Sequence, residues 1–209
     1  MSSDVWPVVR AERLALADDL DGLPAEQWET PSLCAGWDVH DVVAHVIDTA
    51  TTTPLSFARD LVAARFDFHR ANGRGIARER HADPSETVAR LRAVADRTSS
   101  PPAAKESRLV EMFVHGEDIR RPLGIRRDYP QEHVVRALAL QARTPASFEG
   151  GKTLAAGLRL VADDHDFTHG DGREVRGPAI ALLLLMSGRA VALVEVEGDG
   201  VAMLAARLV

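Results

Sequence analysis

The sequence predicts an α+β chain in which an antiparallel four-helix bundle precedes a small α/β domain, and three observations carry that prediction. Long segments in the N-terminal part place apolar residues at the period of an amphipathic helix. The connections between them are short and marked by proline, glycine and capping residues, which folds successive helices back on one another. Beyond about residue 145 the pattern changes to alternating residues, turn dipeptides and one strongly apolar segment.

Asp4 to Asp21 reads as the first helix, with Val5, Val8, Val9, Ala15, Leu16 and Leu20 near the helical period. A loop with Pro24 and Pro31 follows. Asp38 caps a second helix whose stripe is Val39, Val42, Val43, Val46 and Ile47, with His45 at its inner edge. A third helix is expected over Pro54 to Phe68, turning Leu55, Ala58, Leu61, Val62 and Phe66 inward, before the polar stretch Asn72-Gly-Arg-Gly75 interrupts the pattern. Asp83-Pro84 opens the next helix, with Val88, Leu91, Val94 and Ala95 on its apolar face. Another runs from about Ala103 to Arg121, where Pro122 and Gly124 stop it.

A linking helix near Gln131 to Ala142 leads to the second part. There Leu154 to Val161 alternates as a strand, and Asp163-Asp164 and His169-Gly-Asp-Gly172 supply the turns of a hairpin. Gly177 to Ser187 is a strongly apolar helix, and Val191 to Val196 with Val201 to Leu208 completes the α/β piece. These readings divide the chain into 1–145 and 146–209.

With 209 residues the chain is long enough to bury a sizeable core. A formal charge of -6, with no basic block against it, argues against nucleic acid or an anionic membrane surface as partner and favours small molecules. The start, Met-Ser-Ser-Asp-Val-Trp-Pro, lacks the basic and apolar regions of a secretory signal, and Ala179 to Met186 is too short to span a bilayer, so a cytoplasmic protein is expected. Cys34 is the only cysteine, which excludes an intramolecular disulfide.

The sharpest chemical signal is Glu111 and His115, four residues apart in Leu-Val-Glu-Met-Phe-Val-His. At that spacing both side chains project from one helix face, with Cβ atoms roughly 5–6 Å apart. A carboxylate in so apolar a segment is costly unless something offsets its charge. With His45 from the second helix, the set offers two nitrogens and one oxygen and leaves a fourth position open, the arrangement of a catalytic zinc site. A surface hydrogen-bonded pair and a satisfied core histidine are the plainer readings of the same residues.

His165 and His169 are also four apart but stand among turn residues and read as polar groups of a hairpin. His40 and His45 project away from each other on a helix and make no joint site. His69 and His81 lie in the loop-rich middle. For Cys34 no partner base is identifiable, and it reads as a packed thiol.

Two segments, Thr30-Pro-Ser-Leu-Cys-Ala-Gly-Trp-Asp-Val-His-Asp-Val-Val-Ala-His45 and Glu111-Met-Phe-Val-His-Gly-Glu-Asp118, resemble the signatures of the mycothiol-dependent maleylpyruvate isomerase family, a branch of the DinB-like metal-binding bundles. Gly170 to Arg189 resembles that family's small C-terminal domain, so the resemblance covers nearly the whole chain. It implies a DinB-like bundle in which His45, Glu111 and His115 bind zinc or another divalent metal, and mycothiol, as a thiolate, takes the open position. In such an isomerase the thiolate adds to the cis double bond of a dicarboxylic keto acid, the new single bond rotates, and the thiol leaves.

The resemblance also implies a functional arginine in the second domain, for which Arg189 and Arg176 are the candidates, Arg189 slightly favoured. A guanidinium suits the substrate because it pairs bidentately with a carboxylate. Asp118, three residues beyond His115, orients a ligand imidazole, contacts the thiol or pairs with Arg121. Trp37 stacks in the cleft or anchors the start of its helix. The function expected is cis-trans isomerisation of a maleylpyruvate-like acid or transfer of the thiol to an electrophile. A non-catalytic metal- or thiol-binding or regulatory module is the alternative. The sequence says nothing of oligomeric state.

Overall fold

The computed structural model describes residues 4–208, which form two compact units, one ending at Arg127 and the other beginning at Asp128. In the first unit the helices are α1 (Trp6–Asp19), α2 (Val39–Thr51), α3 (Pro54–Ala63), α4 (Phe68–Glu79), α5 (Pro84–Ala93) and α6 (Ser107–Arg120). Helices α1 and α2 each pack on both α5 and α6, which closes a four-helix bundle, while α4 lies along α2. Leu16, Val43, Ile47, Leu91, Leu109 and Phe113 are fully buried between them. No helix among the described residues is long and apolar enough to cross a membrane.

Local chemistry sets where the helices begin. Asp38 accepts a 2.8 Å hydrogen bond from the backbone N–H of Asp41, whose own carboxylate accepts from Asp38, and this reciprocal cap starts α2. Arg80 then bridges the two carboxylates at 2.6 Å each. Thr53 with Pro54, and Asp83 with Pro84, start α3 and α5 by the same logic of a capping oxygen followed by proline.

The helix expected over residues 54–68 is two helices. Arg65 and Phe66 adopt left-handed backbone with φ of 59° and 64°, which ends α3 and redirects the chain into α4. As a result Leu55 is 81% and Phe66 71% exposed, contrary to their expected inward position. The stretch Asn72 to Gly75, expected to break the pattern, is helical instead. At Gly75 any Cβ would fall inside the Asp48 carboxylate, so the glycine is what lets α4 approach α2.

The second unit contains α7 (Gln131–Gln141), β1 (Leu158–Ala162), β2 (Thr168–His169), β3 (Arg173–Gly177), α8 (Ala179–Met186) and α9 (Val201–Ala205). In the sheet β1 is central, antiparallel to β2 and parallel to β3, in the order β2-β1-β3. The expected hairpin is present, and the chain then crosses the start of β1 through Gly170-Asp171-Gly172. Side chains at either glycine would strike the backbone carbonyl of Leu158 or Gly157. Helix α8 is almost wholly buried against α7 and the sheet. Because Val134, Ala137 and Leu138 of α7 are buried and α7 packs on α8, this helix belongs with the second unit. The division at Arg127 therefore precedes it, whereas the sequence reading draws the boundary after 145. Residues Ala190–Glu195 form a 3-10 turn and the C-terminal apolar stretch the short α9.

Candidate metal centre

Helices α2 and α6 present matched residues to each other. The His45 and His115 rings lie 4.9 Å apart, centroid to centroid, and nearly perpendicular at 86°. One turn farther along each helix, the Thr49 hydroxyl donates a short hydrogen bond to Oε1 of Glu111. Later positions on α2 thus face earlier ones on α6, which makes the two helices antiparallel and puts His45, Glu111 and His115 on one shared seam. His45 is 7% exposed.

Of the three candidates, His115 has the better-defined surroundings. Its Nδ1 donates to Oδ2 of the fully buried Asp118 over 2.9 Å, which leaves Nε2 for a metal. The Cys34 thiol donates to the same carboxylate oxygen at 3.0 Å and lies 3.7 Å from Nδ1. Burial disfavours the charged imidazole, but its hydrogen bond to the Asp118 carboxylate, the nearby Cys34 sulfur and the negative charge of Asp118 outweigh it and push the His115 pKa to about 10. A cation arriving at Nε2 must therefore displace a proton.

Glu111 is held from two sides, by Thr49 at Oε1 and by Nη2 of Arg108 at Oε2 over 2.9 Å. Its charge is thus already balanced. Among the described residues, the three donors whose ligand atoms lie within 4.8 Å of one another are Cys34, His115 and Asp118, not the expected trio. The donor set His45, Glu111, His115 suits a divalent metal such as zinc, with nitrogen and carboxylate ligands on facing helices and a carboxylate fixing one imidazole. The same Glu111 carboxylate has Arg108 as a competitor for that charge.

Trp37 packs its ring 5.0 Å from that of His45, tilted by 50°. It and Cys34 share a turn in which Gly36 takes φ 81°, Trp37 N–H donates to the Cys34 carbonyl at 3.1 Å, and Leu33 N–H donates to the Asp118 carbonyl at 3.2 Å. That turn carries both side chains to the end of α6. His40 lies apart, bonded to Thr87 at 2.8 Å, and His81 stands 3.5 Å from Glu86.

The two arginines expected at the substrate lie in the second unit. Arg176, on β3, donates to Glu174 at 2.9 Å, and Arg189 follows α8 and donates to the Ser187 carbonyl at 2.5 Å. Thr49, Arg108 and the role of Cys34 are not among the residues that the sequence singles out. Thr49 repeats on α2 the four-residue spacing of Glu111 and His115, and Arg108 precedes Glu111 by three, so both left a signal. Cys34 left none, since its partners lie more than eighty residues away.

A sequence profile described as mycothiol maleylpyruvate isomerase N-terminal domain matches residues 9–141. Two crystal structures match the chain, one of a mycothiol-dependent maleylpyruvate isomerase at 19% identity and one of a point mutant of such an enzyme at 18%. Each has a TM-score of 0.59 and covers 93% of this chain and 91% of its own, a likeness that shows the shared α+β fold. No curated protein matches the chain significantly.

Proposed function

The chain belongs to the mycothiol maleylpyruvate isomerase N-terminal domain family, and on that premise we propose that it is a mycothiol-dependent enzyme whose metal ligands are His45, Glu111 and His115. The observation that carries this reading is the antiparallel seam, where His45 faces His115 at 4.9 Å and Glu111 stands one turn along on the same helix. Bound zinc supplies a positive charge that keeps a thiol deprotonated near neutral pH.

The protein's own groups have separable tasks. Asp118 holds Nδ1 of His115 and so aims Nε2. Cys34 donates to that carboxylate and braces it. Trp37 shields His45 from water on one side and offers an apolar wall to a bound thiol. Arg189 and Arg176 of the second unit are the candidates for the substrate carboxylate, Arg189 slightly favoured by the family resemblance. The reaction class is cis-trans isomerisation of a maleylpyruvate-like acid or transfer of the thiol to an electrophile.

Elemental analysis of the purified protein should find about one zinc per chain, absent from His45→Ala. Incubation with mycothiol and maleylpyruvate should then give the trans isomer or a conjugate. Stoichiometric metal with thiol binding but no turnover would instead favour a binding or regulatory module, and no metal at all would reject the reading. The cluster at Nδ1 of His115 supports a second arrangement, with the ion on Cys34, His115 and Asp118. Cys34→Ala separates the two, since it keeps the metal in the first arrangement and loses it in the second.

A further inference from the structure

At the start of α6 the buried charges do not cancel. Arg13, on α1, is 2% exposed and Arg108 is 7% exposed, and the carboxylate whose charge acts on Arg13 is that of Glu111. Arg108 Nη2 lies 2.9 Å from Glu111 Oε2. Burial lowers the Arg13 pKa to about 10, with the Glu111 charge opposing that fall and the Arg108 charge adding to it. Two guanidinium groups against one carboxylate leave an excess of positive charge where water is scarce, an arrangement that is costly unless an anion completes it.

Two further features point the same way. The first turn of α6 carries no acidic residue, and Arg108 sits in that turn, so the positive end of the helix adds to the excess. Glu106 lies outside the turn at the half-buried N-cap. The Nε of Arg13, the Nε of Arg108 and the hydroxyl of Ser107 are buried and make no hydrogen bond among the described residues. Nη1 of Arg13 is already spent on the carbonyls of Arg97 at 2.7 Å, Ala95 and Val94, and its buried donor without a hydrogen bond among the described residues is Nε. In Arg108, Glu111 occupies one tine of the side-on fork and Nε is the other.

We infer that Arg108, backed by Arg13, forms a carboxylate-binding subsite within the bundle, two turns of α6 before His115. Its ligand is one carboxylate of an anionic substrate, and the inference rests on the proposed function in taking that substrate to be an acid. The subsite supplies the positive charge that an acidic chain needs there, and it does so from the same unit as the metal ligands.

The test uses the full-length protein as purified, labelled with 15N, and maleate as the probe. The arginine Nε–H signals of Arg108 and Arg13, assigned through their own side-chain carbons, should shift on titration and saturate together. Arg108→Gln should weaken maleate binding by about tenfold or more while keeping its zinc. Maleate that saturates the protein while both signals stand still, or that moves only the Arg176 or Arg189 signals, overturns the inference, as does the absence of binding at millimolar concentration. The wild-type titration decides even where the variant does not fold. A protein that holds no zinc and no mycothiol, yet shows both signals moving with maleate, keeps the subsite and rejects the thiol chemistry.

Discussion

His115 shows how two opposing effects are resolved at a single side chain. Only 15% of that side chain is exposed, which disfavours its charge, yet the contacts with Asp118 and Cys34 hold its pKa near 10. The folded-state value lies above the unfolded value of 6.5, so the metal-free protein gains stability from this group below pH 6.5 and loses it as pH rises toward 10. Denaturant titrations of the chelated protein across that window should show the decline, and Asp118→Asn should flatten it. The same substitution should weaken metal binding by about 10–100-fold, read by competition with a chromophoric chelator, because Nδ1 then has no carboxylate to fix the ring. Unchanged affinity would assign Asp118 to packing alone.

The decisive element is α2, which carries His45 and Thr49 on one face. Its start depends on Asp38, whose side chain both caps the helix and receives Arg80. Asp38→Ala should cost about 1–2 kcal/mol in equilibrium unfolding, with Arg80 left to face Asp41 alone. On its outer side α2 meets α4 at Gly75. Gly75→Ala gains about 1 kcal/mol of helix propensity but forces Asp48 away from Arg78, and overpacking of this kind costs about 1–3 kcal/mol. A lowered Tm is expected; a raised one would mean that Asp48 moves aside freely. The periodicity of α2 was readable because its buried face is continuous. The split between α3 and α4 was not, since apolar residues at helical spacing say nothing about whether a partner surface will cover them.

For the molecule as a whole, the proposed ligands His45, Glu111 and His115 and the charges of Arg13 and Arg108 all lie before the division at Arg127. A fragment ending at Arg127 should therefore remain helical by circular dichroism and retain its zinc, while losing activity that depends on Arg189. Loss of the metal in a folded fragment would show that the second unit contributes to the centre. Within that unit Leu184 is fully buried in α8, and Leu184→Ala should cost about 2–5 kcal/mol.

From its sequence alone the chain disclosed the helical bundle, the α/β remainder, the metal-ligand candidates and the family. Each of these is encoded in local spacing: the helical period, a cap before an apolar run, a carboxylate and an imidazole four residues apart. Tertiary structure alone decided that α7 joins α8, that Cys34 reaches Asp118 and His115, and that Glu111 is claimed by Arg108 and Thr49. Those outcomes depend on which faces and charges meet across the fold, and a competition for one buried carboxylate has no signature in the order of residues along a chain.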